Sequence, residues 1–151
     1  MADQTYAAGR GRWAPQALAA LRIMAGLLFM EHGTAKLFGF PALPMPMPPV
    51  GSLMWIGGVL EALGGLLLVV GLFSRPVAFV LAGEMAVAYF MFHAPQGFYP
   101  AANGGDGAIL YCFIFLLIAA AGPGTWSLDR RRSSSGPRDA HSIDHEKRHG
   151  S

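Results

Sequence analysis

The sequence predicts an all-α fold: an integral membrane bundle of four transmembrane helices. Three observations carry that prediction. Hydrophobic residues make up 53% of the 151 residues and charged residues only 13%, where an average soluble domain carries roughly 25%. The deficit is local: between residues 53 and 73 the only charge is Glu61, and between 107 and 122 there is none. Finally, apolar stretches of near-membrane length alternate with clusters of proline and glycine.

Four segments follow: 15–38, 51–73, 75–93 and 104–122. Each is near the ~20 residues that cross ~30 Å of hydrocarbon, and a helix satisfies its own backbone hydrogen bonds there. The breaks have chemical causes. Pro41, Pro44, Pro46, Pro48 and Pro49 cannot continue a helix. Ser74-Arg75-Pro76 is a tight turn with Pro76 placed as a first helical residue. His93-Ala94-Pro95 stops the third segment, Asn103-Gly104-Gly105 makes a flexible turn before the fourth, and Gly122-Pro123-Gly124 ends it. The chain then divides into residues 1–14, a membrane domain over 15–124, and a tail over 125–151. The first apolar run is too long for a cleaved signal peptide and is interrupted by Glu31, His32 and Lys36. After Arg132 the chain is rich in Ser, His and charge, which reads as a disordered tail. His141, His145 and His149 fall in that tail, where solvation explains them better than metal binding.

The net charge of +2 does not point to nucleic acid, because the basic residues lie beside apolar segments without interleaved aromatics. They read as a topology signal. Arg10, Arg12, Arg22, Arg75, Arg130, Arg131 and Arg132 fall at ends that share one side of a four-span arrangement. The positive-inside rule puts that side, and both termini, in the cytoplasm of a bacterial inner-membrane protein. The proline-rich loop and the loop over 98–106 face outward. Trp13 and Trp126 fall near the inner interface and Trp55 near the outer one. Cys112 is alone and reads as a buried inert thiol.

The candidate site residues are the intramembrane ionisable groups, which are functional candidates by default. Glu31, His32 and Lys36 occupy the outer half of the first helix. Glu61 lies ten residues into the second, a depth of ~15 Å, and Glu84 lies at similar depth in the third. His93 and Asp106 flank the outer loop. Glu31, Glu61 and Glu84 are candidates for proton exchange; His32, Lys36, His93 and Asp106 are candidates for binding. An isolated charge at the bilayer centre costs at least ~2.5–3.5 kcal/mol, so the glutamates are expected to face the interior, pair or carry a proton. Buried ion pairs that only fix the helix arrangement are the alternative. Gly57, Gly58, Gly64 and Gly65 flank Glu61 and predict a smooth surface for close helix packing. No spacing supports a metal site.

Four stretches carry a resemblance. They are EHGTAKLF ending the first helix, GGVLEALGGLLLVVGLFSRP (57–76), MAVAYFMFHAPQGFYPAANGG (85–105) and GPGTWSLD (122–129). In this order they resemble the DoxX family over residues 18–129. Where the family pattern often reads Asn-Gly-Gly-Glu, this chain has Asp106, a carboxylate on a shorter arm. The resemblance implies a four-helix inner-membrane protein. It also implies one of two kinds of role: a membrane subunit of a redox system such as thiosulfate:quinone oxidoreductase, or a non-enzymatic scaffold or assembly factor. In the first, a quinone binds between helices, with His32 and Lys36 donating to its carbonyl oxygens. No cofactor is intrinsic, and a partner membrane or redox protein supplies the electrons. In the second, the charges are structural, and Phe98, Tyr99 and the proline-rich loop contact the partner. Self-association is compatible with both.

Overall fold

The computed structural model of the chain describes residues 2–44 and 46–134, with only the backbone course given over 2–12, 133 and 134. The expected tail over 135–151, with its three histidines, lies outside the described residues. Among those described, the structure is all-helical. Helix α1 is Ala2–Phe38, α2 is Leu53–Val70 and α3 is Ser74–Ala88. Two short helices, α4 (Pro100–Asn103) and α6 (Leu128–Ser134), flank α5, which is Asp106–Ala121. Helices α1, α2, α3 and α5 form the bundle. The stretches Trp13–Phe38, Leu53–Val70 and Ser74–Gln96 are long and apolar enough to cross a membrane. Helix α5 has 16 residues, or ~24 Å, short of the ~30 Å of hydrocarbon.

The ends of the elements differ from the sequence reading. Helix α1 starts at Ala2, with Pro15 inside it. The third segment does not stop at His93. Its hydrogen-bond ladder widens into a π-helical turn over Tyr89–His93, where the Ala94 N–H reaches Tyr89 O, and it ends in a 3₁₀ turn over Ala94–Gln96. The turn before α5 is built by Asn103, which is buried. Its Nδ2 donates to Gly97 O at 2.7 Å and its Oδ1 accepts from Gly105 N at 2.8 Å.

Helix α2 has well-formed caps. The Ser52 hydroxyl accepts from Trp55 N at 3.2 Å. At the other end Gly71 takes the left-handed conformation, with Gly71 N bonding Leu68 O and Leu72 N bonding Leu67 O, a Schellman ending. The core between the helices is narrow. Phe29 of α1 meets Tyr111 and Phe115 of α5 edge-on, at centroid distances of 4.9 and 4.6 Å. Leu68, Leu81 and Ile118 complete it. Large apolar side chains such as Leu63, Phe79, Phe90, Leu110 and Phe113 point outward, as they do when the solvent is lipid.

Candidate functional site

The glycine pairs of α2 set the site. Gly58 and Gly65 face α1, seven residues apart. A Cβ on Gly65 would lie 2.6 Å from Gly26 O and 2.7 Å from Met30 N, and one on Gly33 would lie 2.3 Å from Ala62 N. Backbone therefore packs on backbone along α1 and α2. Gly57 and Gly64 face the other way, toward α3. A Cβ on Gly64 would meet Leu81 at 2.9 Å, and one on Gly57 would meet Glu84 Oε1 at 3.1 Å. Each doubled glycine thus serves two neighbours, one residue for each.

Three ionisable groups converge where these surfaces meet. Lys36 Nζ donates to Glu61 Oε1 at 2.6 Å. The Glu61 side chain is 4% exposed and that of Lys36 20%. Glu84 of α3 is within electrostatic range of both. Gly58 makes room for the Lys36 stem, whose Cβ would sit 3.0 Å from a Gly58 Cβ, as Gly57 makes room for the Glu84 carboxylate. Glu61 Oε2 and Glu84 Oε2 are buried and accept no hydrogen bond. The cluster is held by one ion pair and contains a second carboxyl that the pair does not satisfy.

The other candidates lie elsewhere. Glu31 and His32 are exposed on the outer surface of α1. His32 Nδ1 is 2.8 Å from Leu28 O, one turn back. Glu31 is near enough to Tyr111 of α5 to act on it electrostatically, so it does not join the other glutamates. His93 Nδ1 is 3.1 Å from Asn103 O and ties the π turn to the outer loop. Asp106 is exposed in the first turn of α5. Of the seven candidates only Lys36, Glu61 and Glu84 come together; Glu31 and His32, adjacent on α1 and so about 100° apart, are exposed, and His93 and Asp106 stay at the outer loop. Among the described residues no group of three or more His, Cys, Asp or Glu could hold a metal ion.

A second polar centre, at the opposite end of the bundle, was missed in the sequence. Arg22 is fully buried, yet among the described residues it pairs with no glutamate. Its Nε donates to Pro123 O at 2.8 Å and Nη2 to Trp126 O at 2.9 Å. Nη1 donates to Leu68 O and, at 3.1 Å, to Val69 O. One guanidinium thus satisfies carbonyls at the end of α2, where its charge also opposes the helix dipole, and binds the loop after α5. Asp129 does the converse. Its two oxygens accept from Phe73 N and Ser74 N, both at 2.8 Å, at the start of α3. Burial alone would raise the Asp129 carboxyl, but those backbone donors, with Arg132 nearby, hold it below its ordinary value. Thr125 N completes the clasp on Pro15 O at 3.1 Å, and Asp129 N bonds Gly71 O. The signal was present in GPGTWSLD, whose polar residues and glycines exceed what a helix stop needs.

This geometry coincides with a family match. The family model described as DoxX covers residues 17–94, which include α2, α3, Arg22 and all three residues of the Lys36–Glu61–Glu84 cluster. The chain belongs to the DoxX family. A Haemophilus influenzae protein described only as uncharacterized is 42% identical over 80% of this chain and 93% of its own length. An uncharacterized membrane protein of Mycobacterium tuberculosis is 31% identical, over 79% and 83% of the two chains. The inner membrane protein YqjF of Escherichia coli is 29% identical, over 72% and 86%. No solved structure matches the fold. This DoxX chain is a membrane-integral protein.

Proposed function

We propose that this DoxX protein is a non-catalytic subunit of a quinone-linked redox system in the bacterial inner membrane, with Lys36, Glu61 and Glu84 as its proton-exchanging site. The observation that carries the reading is Glu84. It is a second carboxyl beside a closed Lys36–Glu61 pair, with one buried oxygen lacking a hydrogen-bond donor. Two carboxyls and one ammonium leave one negative charge uncompensated, and in a bilayer that charge is costly. A proton neutralises it, or the hydroxyl of a reduced quinone donates a hydrogen bond to it. The ligand role moves accordingly: Lys36 is engaged by Glu61 and His32 faces outward, so the two glutamates are the groups that meet a hydroquinone. The electrons that reduce the quinone to that hydroquinone come from a partner protein, and the glutamates deliver the protons it takes up. The test is saturable ubiquinol binding to purified protein in liposomes. Wild type binds and Glu84→Gln loses most of the affinity; wild type without saturable binding overturns the proposal.

The scaffold reading has its own support in Arg22 and Asp129, charged groups that bond backbone atoms of loops and helix ends. In that reading Phe98 and Tyr99, both exposed and stacked edge-on at 5.3 Å, form part of a partner surface. Co-purification in mild detergent separates the two, because a scaffold retains its partner in Glu84→Gln. The cytoplasmic location of both termini belongs to either reading. Its support is that Arg22, Arg75, Arg130, Arg131 and Arg132 gather at one end of the bundle. Reporter fusions to the C-terminus and to the proline-rich loop give opposite signals if it holds.

A further inference from the structure

At the arginine-bearing end a groove of about 740 Å³ opens between the stretch of α1 around Pro15 and Leu18, the start of α3 and the loop after α5. Its walls are apolar, with Leu18, Pro76, Ala121 and Pro123 among them, and Arg75 and Arg130 line it as well. Arg75 Nη1 donates a long 3.4 Å bond to Ala119 O, and Arg75 Nη2 would be 3.1 Å from a Cβ on Gly122. That glycine keeps the guanidinium against the loop without burying it. Asp129 also lines the groove, but its oxygens accept from Phe73 N and Ser74 N. Two tryptophans belong to the same end. Trp13 is 74% and Trp126 67% exposed, and exposed tryptophans in membrane proteins sit at headgroup level. The groove therefore combines headgroup depth, two cations against one carboxylate that backbone donors engage, and an apolar wall.

We infer that this groove is a specific binding site for an anionic phospholipid. The phosphate lies between Arg75 and Arg130, and an acyl chain runs along Leu18 and Pro76 toward the bilayer. Arginine suits the task because its planar donor fork matches phosphate oxygens, and basic pockets between membrane helices take lipid headgroups in this way. The inference does not depend on the quinone proposal: it concerns the other end of the bundle and different residues.

The experiment measures lipid retained by the full chain in native mass spectrometry, after exchange into detergent doped with either phosphatidylglycerol or phosphatidylcholine of the same chains. Wild type retains phosphatidylglycerol preferentially. Arg75→Gln with Arg130→Gln weakens that retention about tenfold or more, while Arg131→Gln with Arg132→Gln, which removes equal charge outside the groove, keeps it. If the double variant at Arg75 does not fold, Arg130→Gln alone, at an exposed position, carries the same comparison. Equal retention of the two lipids overturns the inference, as does equal loss in both double variants, which would mean bulk attraction to a basic surface. Competition by free inorganic phosphate as effective as that of added phosphatidylglycerol also overturns it, since the site would then take a soluble anion.

Discussion

Replacing Gly33 with Ala tests the backbone-on-backbone contact that positions Lys36. The new Cβ would lie 2.3 Å from Ala62 N, 2.7 Å from Ala62 Cα and 2.7 Å from Gly58 O. All three are backbone atoms, so no rotamer change relieves the clash. Restoring ordinary contact near 3.4 Å requires α1 and α2 to separate locally by about 1 Å. A close-packed interior resists such a shift, and overpacking of this kind costs about 1–3 kcal/mol. The upper part of that range is expected, because the same movement loosens Gly26 on Gly65 and stretches the 2.6 Å Lys36–Glu61 bond. The control is Gly83 on α3, where nothing lies within 4 Å of an added Cβ. There alanine is neutral or stabilising by up to ~1 kcal/mol from helix propensity. The assay is the thermal midpoint of purified protein in one detergent, followed by loss of the monodisperse peak in size-exclusion chromatography. Gly33→Ala as stable as wild type, or Gly83→Ala destabilised to the same extent, would refute the reasoning.

Three other outcomes follow from the two polar centres. Lys36→Met leaves Glu61 buried without its cation and costs about 3–5 kcal/mol, whereas Lys36→Met with Glu61→Gln recovers most of the loss; a double-mutant cycle on chemical unfolding reads the coupling. Arg22→Leu strands four carbonyls, two at the α2 end and two in the loop after α5, at a cost above about 3 kcal/mol, and limited proteolysis should cut the loop after α5 in the variant but not in wild type. Asp129 has a carboxyl held below its ordinary value, so it stabilises the fold fully above its unfolded value of about 4. That contribution is lost as pH falls through the folded value. Asp129→Asn lowers the midpoint at neutral pH and flattens its acid limb, as thermal scans from neutral to acid pH would record.

The two centres use buried charge differently. Arg22 and Asp129 answer backbone groups that helix ends leave unpaired. They allow a tight turn between α2 and α3 and a docked loop after α5 to exist at the membrane boundary. The Lys36–Glu61–Glu84 cluster answers no such need. Its ion pair links α1 to α2, and Glu84 adds a carboxyl from α3 that no helix end requires. That excess, more than the presence of charge, distinguishes the candidate functional site from the structural one.

Hydropathy and the proline and glycine breaks were enough to predict an all-α membrane bundle, because in lipid a chain must satisfy its backbone within each helix. The residues around Glu61 were legible as a packing surface, and the ionisable groups as candidates, because their cost in a bilayer is a property of the side chain. Which of them meet was not legible. Gly57 turns to α3 and Gly58 to α1, one residue apart, and only the placement of both neighbouring helices makes each necessary. Glu61 joined Lys36 and Glu84 while Glu31 and His32 stayed outside, since a partner 23 or 25 residues away along the chain depends on crossing geometry and not on spacing along one helix. Arg22 shows the same limit most clearly: its charge was visible from the start, but four carbonyls from two distant segments exist as a site only once the bundle has closed around it.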